Sequence, residues 1–158
     1  AFGTADPPGL LPSWLAFRLN PTPAELATDV YDRCAVFVQS SHYEGFGFTA
    51  VEAMACGAAL ATTDNGGSRD YAHHDRTALV SAPGDVDALA ANVVALLADR
   101  DRRLRLAEAG RELVAGFSWD QAGADLEACL LRYLADPGAY QHEPGPEPPD
   151  LADGFALR

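Results

Sequence analysis

Two carboxylates set around a pair of glycines carry most of the chemistry this sequence offers. Between Ser40 and Gly57 the chain reads SSHYEGFGFTAVEAMACG. Glu44 comes just before the turn Gly45-Phe46-Gly47, and Glu52 falls one turn into the helical stretch that follows. A glycine-rich approach to a helix presents backbone N–H groups without intrahelical partners at the positive end of the helix dipole, which suits a phosphate. Carboxylates in contact with a phosphate would repel it. They suit hydroxyl groups instead, accepting one proton or the two of a diol. An anion and diols together fit a nucleotide-sugar. Each residue also has a plainer role open to it. Thr49-Ala50-Val51-Glu52 has the form of a capping box, in which Glu52 only closes the helix start and Thr49 is the cap rather than a phosphate contact. Glu44 alone would be a solvated loop carboxylate, and the glycines would serve a tight turn. Tyr43 and Phe46 either wall a sugar pocket or pack on the neighbouring strand.

The elements that must position these residues alternate between short strands and helices. Residues 1 to 13, rich in Gly and Pro, read as the end of a strand and a linker. Trp14 to Leu19 is a short apolar run that predicts a buried parallel strand, stopped by Asn20-Pro21. Thr22-Pro23-Ala24-Glu25 opens a helix with a capping box and Pro at the first position, followed by Leu26, Val30 and Cys34 at helical spacing. Cys34 to Gln39 reads as a strand. The helix after the glycine turn spans about Phe48 to Cys56 and ends at Gly57. A strand at Ala58 to Thr62, a loop at Asp64 to Gly67, a short helix at Ser68 to Ala72 and a strand at Thr77 to Ser81 follow. Asp85 then caps a helix with Val86, Leu89, Ala90, Val93, Val94 and Leu97 on one side. Asp101 to Val114 forms another, with Leu106, Ala109, Gly110 and Leu113 in line. Ser118 and Gln121 open the last, whose apolar side carries Trp119, Ala122, Leu126, Cys129, Leu130 and Tyr133. Trp14 and Trp119 read as core. The alternation predicts an α/β class with a doubly wound parallel sheet. Ligands of such sheets bind beyond the carboxyl ends of the strands, so the loops at Leu19–Thr22, Gln39–Gly47 and Thr63–Ser68 are expected to converge.

Composition narrows the partners. The 158 residues are 48% hydrophobic and 22% charged, enough for one globular domain with a core. A net charge of -12 argues against a nucleic-acid or anionic-membrane surface. All 11 basic residues are arginine, so any cationic contact to a phosphate falls to Arg; Arg18 and Arg69 are the candidates, each with an ordinary surface ion pair as its alternative. Cys34, Cys56 and Cys129 lack a metal or redox spacing and read as buried free thiols of a reducing compartment. His42 with Glu44, and His73-His74, lack a third ligand at suitable spacing, so no metal is expected. Without a signal peptide or a long apolar run the reading is cytoplasmic, and a chain starting at Ala rather than Met suggests a fragment or a processed piece.

These motifs resemble the retaining GT-B glycosyltransferases of family 4, also called group 1. Glu44 and Glu52 match that family's E-x7-E pattern. Asp64-Asn65-Gly66-Gly67-Ser68-Arg69-Asp70 is similar to its Gly-Gly-x-Pro-Glu loop, with Arg69 and Asp70 in place of the Pro and Glu. Thr77-Ala78-Leu79-Val80 resembles its Thr-Gly-Leu-Leu segment, and Pro83-Gly84-Asp85 and Phe117-Ser118-Trp119 also match. The resemblance covers about residues 14 to 134. It implies the Rossmann-like, donor-binding C-terminal half of a GT-B fold, incomplete at its N-terminal side, over residues 1–134, with a Pro/Gly-rich tail, extended or disordered, over 135–158. It assigns Glu52 to the ribose hydroxyls and Glu44 to the donor sugar as the catalytic carboxylate. It puts the N–H groups of Gly45, Phe46, Gly47 and Phe48, with the Thr49 hydroxyl, near the sugar and distal phosphate. It implies no metal or cofactor, retention by same-face attack, and an N-terminal acceptor domain as partner, so that this chain is expected not to turn over alone. The phosphate-binding strand–helix unit that opens such a domain has no match here. A catalytically silent nucleotide-sugar-binding or oligomerisation module on the same fold is the alternative. A signalling receiver domain is disfavoured by the absence of any Lys.

Overall fold

Three short runs of Val, Phe, Leu, Ala and Thr, β3 (Val36–Gln39), β4 (Ala59–Thr63) and β5 (Ala78–Ser81), form a parallel sheet in the order β3-β4-β5. The structure, a computed structural model, describes residues 1–7 and 9–140. Parallel neighbours require a crossover rather than a hairpin, and α2 (Phe48–Ala55) supplies the one from β3 to β4. Phe37 pairs with Leu60, and Leu60 with Ala78. Alternate side chains leave opposite faces of a strand. Phe37, Leu60 and Ala78 therefore join Ala50, Ala53 and Met54 of α2 in one core. Ala59, Ala61 and Leu79 meet Leu96 of α3 (Val86–Ala98) and Leu106 and Ala107 of α4 (Arg100–Val114) in a second. All five residues of β4 are buried, as a central parallel strand covered on both faces requires. The class is α/β with a doubly wound parallel sheet.

A smaller parallel pair, β1 (Phe2–Gly3) and β2 (Arg18–Leu19), precedes this sheet. The Phe2 ring ties it to the first core, 6.1 Å from Tyr31 and 6.3 Å from Phe37. The buried strand expected over Trp14 to Leu19 is thus reduced to Arg18–Leu19, both exposed, and Trp14 is 80% exposed. A turn in which Leu15 N–H donates to Pro12 O at 2.9 Å bends the chain there instead of extending it.

The helix opened by Thr22 has its full capping box and Pro23 in the first turn, as expected. It stays α-helical only over α1 (Pro23–Glu25), then widens to a π-helical turn, Leu26–Val30, and tightens to a 3-10 turn, Tyr31–Arg33. Thr28 Oγ1 donates to Ala24 O at 3.0 Å; such back-bonding disturbs regular helix. Cys34 lies past the end, in extended backbone. On α3 the line packed on the core is half-buried Leu89 and Val93 with buried Leu96, whereas Val86, Val94 and Leu97 are exposed. Among the three free cysteines Cys56 is exposed and Cys34 and Cys129 are half-buried, so none is a fully buried thiol.

The chain divides into two compact units, Ala1–Phe117 and a second beginning at Ser118. The second holds α5 (Trp119–Ala135), where Gln121 N–H donates to Ser118 Oγ at 3.1 Å, and a 3-10 turn, Pro137–Tyr140. Trp119 is 80% exposed rather than core. The remainder of the expected tail, with Phe155 and Leu157, lies outside the described residues. Among the described residues no helix is long and apolar enough to cross a membrane.

Candidate functional site

The carboxyl ends of β3, β4 and β5 gather the loops that carry the candidate residues. Glu44 N–H donates to Asn65 O at 3.0 Å, and Asp64 N–H donates to Ser81 O at 2.8 Å. Thr63 Oγ1 donates to Ser41 O. The contact between the first two loops is close enough to demand glycine. A Cβ on Gly67 would lie 2.6 Å from the carbonyl carbon of Gly45 and 2.7 Å from Glu44 O. The Gln39–Gly47 and Thr63–Ser68 loops therefore converge as expected. The Leu19–Thr22 loop leads instead from the β1–β2 pair into α1, and Arg18 beside it pairs with Asp29 at 3.1 Å.

Glu44 is half-buried, and its Oε1 accepts from Ser41 Oγ at 2.7 Å and from Gln39 Nε2 at 3.3 Å. It is a fixed carboxylate rather than a freely solvated one. Gln39 is itself held, since its Oε1 accepts from Thr62 Oγ1 and from Asn65 Nδ2, each at 3.4 Å. Asn65 in turn accepts the Ser68 N–H at 3.0 Å. This buried amide and hydroxyl network joins β3, β4 and the glycine loop under Glu44. Neither Gln39 nor Asn65 stood out in the sequence, because a polar residue at a strand end carries no periodic signal.

The turn Gly45-Phe46-Gly47 leads into α2 with Gly47 as N-cap at φ +87°, and no side chain caps the helix. Thr49 sits inside the first turn rather than at the cap, so the capping-box alternative for Thr49 and Glu52 does not hold. The first amides used within the helix are those of Ala50 and Val51, both donating to Gly47 O. Glu52 is exposed, and its Oε2 accepts from the Tyr31 hydroxyl at 3.1 Å. Burial above all, then the bond to Glu52, raises the Tyr31 phenol well above its ordinary pKa, so it stays a donor. Glu44 and Glu52 thus flank an uncapped helix start, each oriented by a neighbour.

Phe46 packs edge-on to Phe48 at 5.1 Å and Tyr71 at 5.6 Å, and against Phe117 at 5.8 Å. It belongs to an aromatic cluster rather than to the face of a strand, while Tyr43 is 66% exposed. Tyr71, fully buried, donates its hydroxyl to Phe46 O at 2.7 Å, with Gly47 O at 3.3 Å. Burial first, then the charges of Glu44 and Asp70, push its pKa up to about 12. Arg69 makes a two-pronged pair with Asp64, Nε to Oδ1 at 2.7 Å and Nη2 to Oδ2 at 3.0 Å. That pairing holds the Asp64 carboxyl below its usual range. Both candidate arginines are thus occupied by carboxylates. Val80 N–H donates to His74 Nδ1 at 3.0 Å, and among the described residues no group of three or more His, Cys, Asp or Glu is placed to hold a metal ion.

Fold and site together define a Rossmann-like α/β domain with an uncapped helix start between two carboxylates. Residues 19–113 match the family model described as glycosyl transferases group 1, and the chain belongs to that family. It is 39% identical over 84 residues to the GDP-mannose-dependent alpha-(1-6)-phosphatidylinositol monomannoside mannosyltransferase of Mycobacterium tuberculosis. That match covers 52% of this chain and 22% of the relative, so the chain spans less than a quarter of the relative's length. Sucrose-phosphate synthase from Thermosynechococcus elongatus superposes with a TM-score of 0.66 at 32% identity, over 76% of this chain and 30% of that one. Anabaena Alr3699/HepE, solved in complex with UDP-glucose, has the same fold at a TM-score of 0.64 and 19% identity, over 73% and 32% of the two chains. The fold is that of GT-B glycosyltransferases, present in part.

Proposed function

We propose that residues 1–134 form the donor-binding domain of a retaining glycosyltransferase of family 4, with 135–158 as a tail, and that it moves a hexose from a nucleotide-diphosphate-sugar to an acceptor in glycan biosynthesis. One observation carries the reading: the uncapped start of α2 lies between two oriented carboxylates, Glu44 and Glu52. In this reading the N–H groups of Gly45, Phe46, Gly47 and Phe48 and the Thr49 hydroxyl face the distal phosphate and sugar. Glu52 accepts the ribose hydroxyls. Glu44 accepts hydroxyls of the transferred sugar and acts as the catalytic carboxylate. The acceptor oxygen attacks the anomeric carbon on the face from which the diphosphate leaves, so configuration is retained. Charge on the leaving diphosphate is met by oriented N–H dipoles, worth most in a site closed to water, without a metal or other cofactor. Arg69 can add to this only by leaving Asp64, and Arg18 only by leaving Asp29. An N-terminal acceptor domain completes the cleft, in the cytoplasm, and neither nucleic acid nor a membrane is a partner of this domain.

Calorimetric titration of the chain with UDP-, GDP- and ADP-sugars tests the proposal. Saturable binding of one nucleotide class is expected and names the donor. Heat signals no larger than dilution for all three would remove the donor-binding reading.

A further inference from the structure

Tyr71 lies 24 residues beyond Gly47 in sequence and reaches the backbone of the glycine turn with its hydroxyl. The bonds go to backbone carbonyls, Phe46 O at 2.7 Å and Gly47 O at 3.3 Å. In a planar trans peptide the C=O and the N–H of the next residue point in opposite directions. A donor that holds Phe46 O therefore turns the Gly47 N–H away from Tyr71, whereas Gly47 O, and with it the Phe48 N–H, is held chiefly by the Ala50 and Val51 N–H groups of α2. The approach is close: a Cβ on Gly47 would come 2.5 Å from the Tyr71 hydroxyl. The ring itself is fixed, wholly buried and edge-on to Phe46 at 5.6 Å. Its own peptide is held as well, because Thr77 Oγ1 donates to Tyr71 O.

We infer that Tyr71 is a positioning residue for the donor diphosphate: its hydroxyl sets the Phe46–Gly47 peptide plane that aims the Gly47 N–H at the distal phosphate. This rests on the donor-site reading above. Tyr71 touches no substrate in this account and acts through the backbone. Its effect is confined to the phosphate end of the site, since the ribose is assigned to Glu52 on the next turn of α2, which Tyr31 orients independently.

Tyr71→Phe keeps the ring and removes the donor. Titrations of the full chain with UDP, GDP and ADP, and with the nucleoside of whichever diphosphate binds, separate the possibilities. The variant is expected to bind that diphosphate about tenfold more weakly, the worth of roughly one hydrogen bond, with nucleoside affinity unchanged. An equal loss for nucleoside and diphosphate would reveal general loosening and overturn the inference, as would undiminished diphosphate binding. If the variant does not fold, amide resonances of the wild-type chain decide: inorganic pyrophosphate is expected to shift that of Gly47, and shifts confined to other amides would overturn the inference. A wild-type chain that bound none of the three diphosphates would remove the donor-site reading itself, and the inference with it.

Discussion

At the scale of single residues, Gly47 is where conformation and space agree most closely. Its φ of +87° is one that residues with a Cβ rarely adopt, and a Cβ there would strike the Tyr71 hydroxyl. Gly47→Ala is expected to cost about 2–4 kcal/mol, combining backbone strain with overpacking, and a urea titration of wild type and variant measures it. The glycines, Glu44 and Glu52 were legible in the sequence because a spacing of residue types survives without coordinates. Which alternative held for Glu52 was not legible. Thr49-Ala50-Val51-Glu52 is a sound capping box on paper, and only the left-handed Gly47 shows that the helix begins two residues earlier. Tyr31, Tyr71, Gln39 and Asn65, which hold the site's backbone and carboxylates, were invisible because each acts across a distance in sequence.

At the scale of elements, caps and breaks were read well and buried faces less so. Asp85 caps α3 as expected, accepting the Ala88 N–H at 2.9 Å. Asp85→Ala is expected to lower stability by about 1 kcal/mol, seen as an earlier unfolding midpoint. The line Leu89, Val93, Leu96 was blurred in sequence because α3 is apolar nearly all round, so periodicity could not choose among its faces. Trp14 to Leu19 failed for another reason: an apolar run of six residues has no periodicity to distinguish strand from turn, and Pro12 starts a turn. A pH effect belongs to α4. Asp75 pairs with Arg102 at 2.8 Å and Arg105 at 3.5 Å, and the Arg102 hydrogen bond leads in lowering its pKa. A carboxyl depressed in the folded state contributes stability above its unfolded pKa and loses it as pH falls through the folded value. Asp75→Asn is therefore expected to flatten the fall in stability below about pH 4, measured as urea midpoints across that range.

At the scale of the whole molecule, the proposed function sets a local anion site within a net charge of -12. The two are compatible because oriented amides act over the length of one helical turn, whereas the acidic surplus is spread over surface charges screened within about 10 Å at moderate salt. The class of fold was legible from the alternation of strands and helices. The division of β1–β2 from β3–β5 was not, since pairing between sheets leaves no mark on either sequence. Under the proposed function, in which another domain supplies the acceptor side of the cleft, no glycosyl transfer by these residues alone is expected; incubation with a donor sugar and release of nucleoside diphosphate above the uncatalysed level would contradict that.

The division of labour across α2 is the central claim, and one calorimetric comparison tests it most directly. Wild type, Glu52→Ala and Glu44→Ala are titrated with the nucleoside diphosphate that binds and with its sugar-bearing form. Glu52→Ala is expected to weaken both ligands by about 1.5–3 kcal/mol, the worth of hydrogen bonds to a charged group, and Glu44→Ala only the sugar-bearing one. Unchanged affinity of Glu52→Ala for both would contradict the account.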